Sequence, residues 1–123
     1  MAKILIVDDS SMSRRMLKTI LQNEGHQVVE AKDGISALEL YFLDKPDLVM
    51  LDLVMDGMYG LEVLAKLLQM DSSVRVIIAS ADIQKWTRES AITAGAKAFV
   101  NKPFVSANVL SAVNRVLRGS ECY

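Results

Sequence analysis

Four short apolar runs in this 123-residue chain end in polar residues that could serve one reaction. Asp8 and Asp9 follow the first run, Asp52 follows another, and Ser80 and Lys102 follow two later ones. Runs of this kind, rich in β-branched residues, are typical of strands buried on both faces of a parallel sheet. Ligands bind beyond the carboxyl ends of such strands. We therefore expect these five side chains to converge around Asp52.

The predicted cluster has the chemistry of a phosphate acceptor. Three neighbouring carboxylates repel, so without a cation at least one would have a raised pKa. Oxygen ligands with one side free favour Mg²⁺, and Mn²⁺ would be an acceptable substitute. The Lys102 ammonium and the Ser80 hydroxyl could then contact a phosphoryl group. Since such transfers depend on alignment and charge neutralisation, we predict that Asp52 is the nucleophile.

Strands alternate with helical patterns along the sequence. The predicted strands are Ile4–Val7, Gln27–Ala31, Leu48–Leu51, Val74–Ala79 and Ala98–Val100. Short links between them predict an α/β fold, a five-stranded parallel sheet with helices on both faces. The second strand is the most polar and the first and third are the most apolar, which is compatible with the flavodoxin-like order 2-1-3-4-5.

Apolar spacing and capping residues locate the helices. Ser10 or Ser11 is expected to cap the first helix, Asp33-Gly34 to open the second and Ser106 to begin the fifth, while the fourth covers roughly 83–94. The predicted apolar stripes are Met12, Met16, Leu17, Ile20 and Leu21 in the first helix, Ile35, Leu38, Tyr41 and Phe42 in the second, and Leu61, Leu64, Leu67 and Leu68 in the third.

Composition narrows the class of protein. The length suits one domain covering residues 1–123, and 14 basic against 15 acidic residues argue against a direct nucleic-acid partner. The sole cysteine, Cys122, excludes an internal disulfide. The first residues are unlike a signal peptide, and no apolar run approaches the roughly 20 residues of a membrane span. We therefore expect a cytoplasmic protein with no membrane insertion.

The motifs at the strand ends resemble those of one known family. They are Asp8-Asp9, Asp52, Ser80-Ala81 and Lys102-Pro103, with Gly95-Ala96 before the last strand. This set is similar to the receiver domains of bacterial two-component response regulators, across essentially the whole chain. The stand-alone chemotaxis member of that family has the strand order 2-1-3-4-5.

The resemblance implies a role for each residue of the predicted metal site. Asp9 and Asp52 would ligate magnesium directly, and Asp8 would do so through water. The backbone carbonyl of Val54 would complete the protein ligands. Gly57 would support the turn of this loop.

The resemblance also assigns the phosphoryl contacts. Ser80, followed by Ala81, would hydrogen-bond the phosphoryl group and move toward it, while Phe99 would rotate inward. Lys102 would contact another phosphate oxygen, aimed by Pro103.

Receivers of this kind take the phosphoryl group from a histidine kinase or a phosphotransfer protein and promote both their own phosphorylation and their own dephosphorylation, without acting as an enzyme on another substrate. We expect a stand-alone module with no output domain. It would signal to a downstream protein partner through the face of helix four, strand five and helix five.

One departure from the family and three alternative functions remain. Asp56 stands where the family usually has proline, and this difference affects loop rigidity and local charge.

The first alternative is a flavin carrier, which would need hydroxyls and backbone donors where Asp8-Asp9 lie. A phosphatase with an aspartyl intermediate would need an acid at Val54. A degenerate receiver would lack an intact acid, hydroxyl and lysine set.

Overall fold

The protein is described by a computed structural model that covers residues 1–55, 59–81 and 85–119, with the side chains of Lys85 and Trp86 outside the description. Five strands alternate with five helices. The strands are β1 (Lys3–Val7), β2 (Gln27–Ala31), β3 (Leu48–Leu51), β4 (Val76–Ser80) and β5 (Ala98–Asn101). The helices are α1 (Ser11–Asn23), α2 (Gly34–Asp44), α3 (Gly60–Met70), α4 (Lys85–Thr93) and α5 (Ser106–Leu117).

The strands form one parallel sheet in the order β2-β1-β3-β4-β5. The predicted fold class and strand order are therefore confirmed. β1 and β3 lie side by side in the middle, with Val7 opposite Leu51, so the residues that follow them meet at the same edge. Both strands are apolar because helices cover both faces of the sheet.

Alternate residues of the central strands enter two separate cores. Ile4 and Ile6 of β1 pack with side chains of α1 and α5 on one face. Leu5 and Val7 pack with side chains of α2, α3 and α4 on the other. This alternation, the normal consequence of the pleat, fixes which helices lie on each face.

The capping predictions agree with the structure. Ser10 is the N-cap of α1 and accepts a hydrogen bond from the Ser13 amide at 3.2 Å. Asp33 caps α2 by accepting from the Ser36 amide at 2.8 Å, and α5 begins at Ser106 as predicted. Each cap satisfies a backbone donor that the helix itself leaves unpaired.

Two predicted helix faces are wrong in part. In α1 the buried pair is Leu17 and Leu21, whereas Met12 is 71% exposed and Met16 is 40% exposed. Each helical residue turns the side chain by about 100°, so Met16 lies well to the side of the buried stripe. The contact surface of α1 is therefore narrower than the apolar pattern suggested.

The predicted face of α2 needs a larger correction. Ala37 and Tyr41 are buried, but Ile35 is 64% exposed and Phe42 is 68% exposed. Ile35 is two residues from Ala37, about 200° around the helix, and therefore points away from the sheet. The buried residues of α2 are Gly34, Ala37 and Tyr41, and the partly buried Leu38 packs against the same core.

Strand β4 begins at Val76 and ends at Ser80, later than the predicted Val74–Ala79. Val74 is buried, but its amide donates to the Asp71 carbonyl in the turn before the strand. In α4 the described helix runs from Lys85 to Thr93, and residues 83 and 84 of the predicted helix lie outside the description.

Candidate phosphoacceptor and metal site

Backbone hydrogen bonds of the kind that pair the strands continue into the first residues after the strands, which form the candidate site. The Asp8 amide donates to the Ala31 carbonyl at 3.1 Å, and the Asp52 amide donates to the Val7 carbonyl at 2.9 Å. On the other side, the Lys102 amide donates to the Ser80 carbonyl at 3.0 Å. The residues that follow the strands are thus held by the sheet itself.

Asp52 lies at the centre of the polar cluster and is almost fully buried. Its Oδ1 accepts hydrogen bonds from the Ser80 hydroxyl at 2.8 Å and from the Val54 amide at 3.2 Å. Its Oδ2 lies 3.1 Å from the Lys102 ammonium. The predicted convergence of Asp52, Ser80 and Lys102 is therefore present.

The three acids also come together. Asp8, Asp9 and Asp52 each offer a carboxylate oxygen, and these oxygens lie within 4.8 Å of one another. Asp8 is 2% exposed, whereas the neighbouring Asp9 is exposed to solvent. One acid of the adjacent pair thus lies inside the cluster and the other lies at its rim.

Lys102 links the two buried acids. Its Nζ lies 2.9 Å from Asp8 Oδ2 and 3.1 Å from Asp52 Oδ2. Burial by itself lowers the pKa of Lys102, but the two carboxylates outweigh burial and hold the pKa above its ordinary value. The lysine therefore remains a cation within the cluster.

Asp8 is incompletely satisfied. Its Oδ1 accepts from the Ser10 amide at 2.9 Å. Its buried Oδ2 is close to the Lys102 ammonium, but the direction of this ion pair does not give a hydrogen bond, so Oδ2 has no hydrogen-bond donor among the described residues. Burial raises the pKa of the Asp8 carboxyl, although the contacts with Lys102 and Ser10 partly offset it.

These features fit a hard divalent cation. The donor set consists of carboxylate oxygens, and a buried oxygen without a hydrogen-bond donor is a natural ligand or water acceptor. A cation would also reduce the repulsion between the acids and favour the ionised form of Asp8. Three acids from two adjacent strand ends could therefore hold one ion.

The β3–α3 connection approaches the backbone of Asp52 closely. The Gly60 amide donates to the Leu53 carbonyl at 2.9 Å. A Cβ atom on Gly60 would lie 2.5 Å from the Asp52 carbonyl oxygen and 2.5 Å from Leu53 Cα, so only glycine fits there without a shift of the backbone. The predicted role of Gly57 and the departure at Asp56 lie in 56–58, outside the described residues.

The remaining predicted positions lie around this centre. Ala81 is exposed directly after Ser80, and the peptide bond between Lys102 and Pro103 is cis. Phe99 is partly buried, with the Arg88 guanidinium 4.6 Å from its ring centre. The Val54 side chain is 70% exposed.

Arg14 also contacts the site and was absent from the predicted set. Its Nη1 donates to the Asp8 carbonyl oxygen at 2.6 Å, and its Nε donates to Glu30 at 3.3 Å. Helical side chains tilt toward the N-terminus, so an arginine one turn into α1 can reach the preceding loop. The position of Arg14, six residues after Asp8 and one turn into α1, is the one sequence signal that could have identified this residue.

A parallel sheet of this strand order, with acids, a hydroxyl and a lysine at its strand ends, defines a class of protein. Comparison with known families identifies that class. The chain belongs to the response regulator receiver domain family, whose model matches residues 4–114. None of the helices in the described part of the chain combines the length and apolar character that a membrane span requires.

Individual relatives agree with this assignment. The chain is 44% identical over 116 residues to chemotaxis protein CheY of Bacillus subtilis, covering 94% of this chain and 97% of the relative. It is 36% identical to sporulation initiation phosphotransferase F of the same organism, over 94% of this chain and 93% of the relative. Among solved structures, Vibrio cholerae CheY4 has a TM-score of 0.90 at 28% identity, covering 94% of this chain and 98% of that one. The fold is thus CheY-like.

Proposed function

We propose that this receiver accepts a phosphoryl group on Asp52 in a reaction that depends on Mg²⁺. The observation that carries the proposal is the arrangement around Asp52, whose two oxygens contact the Ser80 hydroxyl and the Lys102 ammonium, with two further acids within 4.8 Å. Positioned charges of this kind supply most of the catalysis in phosphoryl transfer.

The phosphoryl group would come from a phosphohistidine of a histidine kinase or a phosphotransfer protein. A lone pair of an Asp52 carboxylate oxygen forms a bond to phosphorus while the phosphorus–nitrogen bond breaks. The electron pair stays on the imidazole, which takes a proton from solvent. Asp52 Oδ2 is the better candidate for attack, because Oδ1 already accepts two hydrogen bonds.

Asp9 and Asp52, with Asp8 through water and the Val54 backbone carbonyl, would hold the Mg²⁺. The ion would neutralise charge on the phosphoryl oxygens. Lys102 would contact a second phosphoryl oxygen, and Ser80 would donate a hydrogen bond to a third. Mn²⁺ would substitute because it accepts the same oxygen ligands.

The proposed output surface is formed by α4, β5 and α5. Movement of Ser80 toward the phosphoryl group would let Phe99 rotate inward, with Pro103 and Ala81 flanking the groups that move. A downstream protein would bind one of the two arrangements more tightly, so phosphorylation would shift the population between them. The cytoplasm is the compartment that suits this signalling.

Phosphorylation is tested by incubating the protein with Mg²⁺ and a small phosphodonor and measuring its intact mass. One added phosphoryl mass is expected for the wild type and none for Asp52→Asn. Asp44→Asn is the matched control, because Asp44 is exposed at the end of α2. Phosphorylation of Asp52→Asn at the wild-type level would contradict the assignment.

The downstream partner is sought by comparing protein with and without a beryllium fluoride mimic of the phosphoryl group as bait in cell extract. A partner retained by only one form is expected. Identical sets of retained proteins would argue against a phosphorylation-dependent surface.

A further inference from the structure

Arg14 connects three elements at the edge of the acidic cluster. It belongs to α1, its Nε contacts Glu30 of β2 at 3.3 Å, and its Nη1 donates to the backbone carbonyl of Asp8 in the β1–α1 loop at 2.6 Å. Its side chain is 17% exposed. This short, charge-assisted hydrogen bond is of the stronger kind, and it is directed at the backbone of the loop that carries two acids.

The Asp8 carbonyl belongs to the peptide unit that leads into Asp9. A peptide unit is planar, so fixing this oxygen also fixes the direction of the Asp9 amide. The other end of Asp8 is held by the hydrogen bond from its amide to the Ala31 carbonyl. Arg14 therefore supplies a second hydrogen bond to the backbone of Asp8, in the segment that places the Asp8 and Asp9 carboxylates.

The contact with Glu30 holds the Arg14 guanidinium in one orientation, and Glu30 is called its anchor below. Lys18 also contacts Glu30, at 3.4 Å, but no contact joins Lys18 to the Asp8 carbonyl among those of the described residues. An exposed ion pair alone is worth little. The consequence of the Arg14–Glu30 contact is instead that the guanidinium is held with Nη1 toward the loop.

We infer that Arg14 is a positioning residue for the divalent cation site, acting through the Asp8–Asp9 peptide and not by touching the ion. This inference rests on the proposed function, because it requires that the acids bind Mg²⁺. Second-sphere groups that orient ligands commonly affect metal affinity by about 10–100-fold.

Electrostatics alone predicts the opposite effect. Arg14 is a cation close to a site for another cation, so removing its charge would strengthen Mg²⁺ binding if charge were all that mattered. Loss of orientation would weaken binding instead. The sign of the change in affinity therefore separates a positioning role from a merely electrostatic one.

The experiment measures Mg²⁺ dissociation constants by calorimetry on unphosphorylated protein, together with thermal unfolding in the absence of Mg²⁺. Arg14→Gln is expected to weaken Mg²⁺ binding about tenfold, at the lower end of the range for second-sphere groups. Arg15→Gln is the matched control, because it removes the same charge from an exposed neighbouring position and should leave affinity unchanged or slightly higher. Arg14→Lys, which keeps the charge but lacks the planar fork, should give an intermediate loss.

A second variant guards against failure of Arg14→Gln to fold. Glu30→Gln leaves Arg14 in place but weakens its anchor, and it should reduce Mg²⁺ affinity by less than Arg14→Gln does. Because this change also removes a negative charge, Glu39→Gln, at an exposed position near Glu30, is its matched control and should reduce affinity less than Glu30→Gln does. Lys18→Gln, which removes the other partner of Glu30, should not reduce affinity.

The outcomes are distinguishable. Wild-type affinity in both Arg14→Gln and Glu30→Gln, whatever their melting temperatures, would overturn the positioning role while leaving the proposed function intact. If Arg14→Gln does not fold, wild-type affinity in Glu30→Gln alone overturns it. Absence of saturable Mg²⁺ binding by the wild type would overturn both.

Discussion

Helices α4 and α5, on either side of strand β5 in the sequence, are attached to the rest of the protein in different ways. Helix α5 buries four apolar side chains, those of Val109, Ala112, Val113 and Val116. Among the described side chains of α4, those of residues 87–93, the fully buried one is Ala91, and Arg88 contacts the ring of Phe99. Burial of apolar surface stabilises by about 25 cal/mol per Å², so the described side chains of α5 contribute more to its attachment than those of α4 do.

This difference suggests how a rigid site can affect a remote surface. Asp52 and Lys102 are held by short contacts with each other, with Ser80 and with Asp8. An element that buries little can shift at low free energy. We therefore expect a change of charge at Asp52 to be expressed first in α4, with α5 as the fixed reference.

The largest expected effect concerns the fixed acidic cluster. Asp8→Asn should weaken Mg²⁺ binding by about 10–100-fold, because it removes a charged group expected to hold the ion through water. The dissociation constant is measured by calorimetry, with Asp44→Asn as the control. Wild-type affinity in Asp8→Asn would show that the cluster does not act as one metal site.

The unequal anchoring of the helices is tested by truncating one side chain in each. Val113→Ala in α5 removes fully buried methyl groups and should lower the free energy of unfolding by about 2 kcal/mol. Ile92→Ala removes more carbon atoms from a partly buried position in α4 and should cost about 1 kcal/mol or less. Chemical denaturation measures both, and equal costs would break the contrast between the helices.

A smaller, pH-dependent effect follows from the buried acid. Burial raises the pKa of Asp8 in the folded protein, so the stability linked to its protonated form is present below about pH 4 and is lost as pH rises through the raised pKa. Without Mg²⁺, Asp8→Asn should therefore become more stable relative to the wild type over that interval. Saturating Mg²⁺ should reduce the difference, because it binds the ionised carboxylate.

Denaturation of both proteins across this pH range, with and without Mg²⁺, measures the difference directly. A constant difference in unfolding free energy would mean that Asp8 titrates alike in the folded and unfolded chains.

The parallel topology explains how much could be predicted from the sequence. Once strands and helices alternate, the residues after β1, β3, β4 and β5 must share one edge of the sheet. The proximity of Asp52, Ser80 and Lys102 could therefore be predicted from the sequence alone. The polarity of β2 likewise agreed with its place as an outermost strand of the sheet.

What could not be predicted depends on side-chain direction. Asp8 and Asp9 are adjacent in sequence, yet one is buried and the other exposed. The apolar residues Ile35 and Phe42 lie outward because Ala37 and Tyr41, one turn apart on the same helix, form the buried face. The reach of Arg14 to the Asp8 carbonyl depends on the distance between α1 and β2, which no local pattern determines.

The smallest expected effect tests whether the contact between Arg88 of α4 and Phe99 of β5 influences the orientation of Phe99 in the unphosphorylated protein. Arg88→Ala removes the cation–π contact with Phe99, worth about 0.5–1 kcal/mol at a partly exposed site. That loss should raise the population of protein with Phe99 turned inward by about two- to fivefold before any phosphorylation. Ring chemical shifts of Phe99 measure the population, and phosphorylation by a small donor should be faster if the inward arrangement favours the phosphorylated form.

Glu89→Ala is the matched control, because Glu89 is exposed on the same helix beside Arg88. It should leave both the Phe99 ring shifts and the phosphorylation rate at their wild-type values. If Arg88→Ala also leaves them unchanged, the contact between α4 and β5 does not bias the two arrangements. The weak anchoring of α4 would then affect only its local stability, which hydrogen exchange of the α4 and α5 amides would still distinguish.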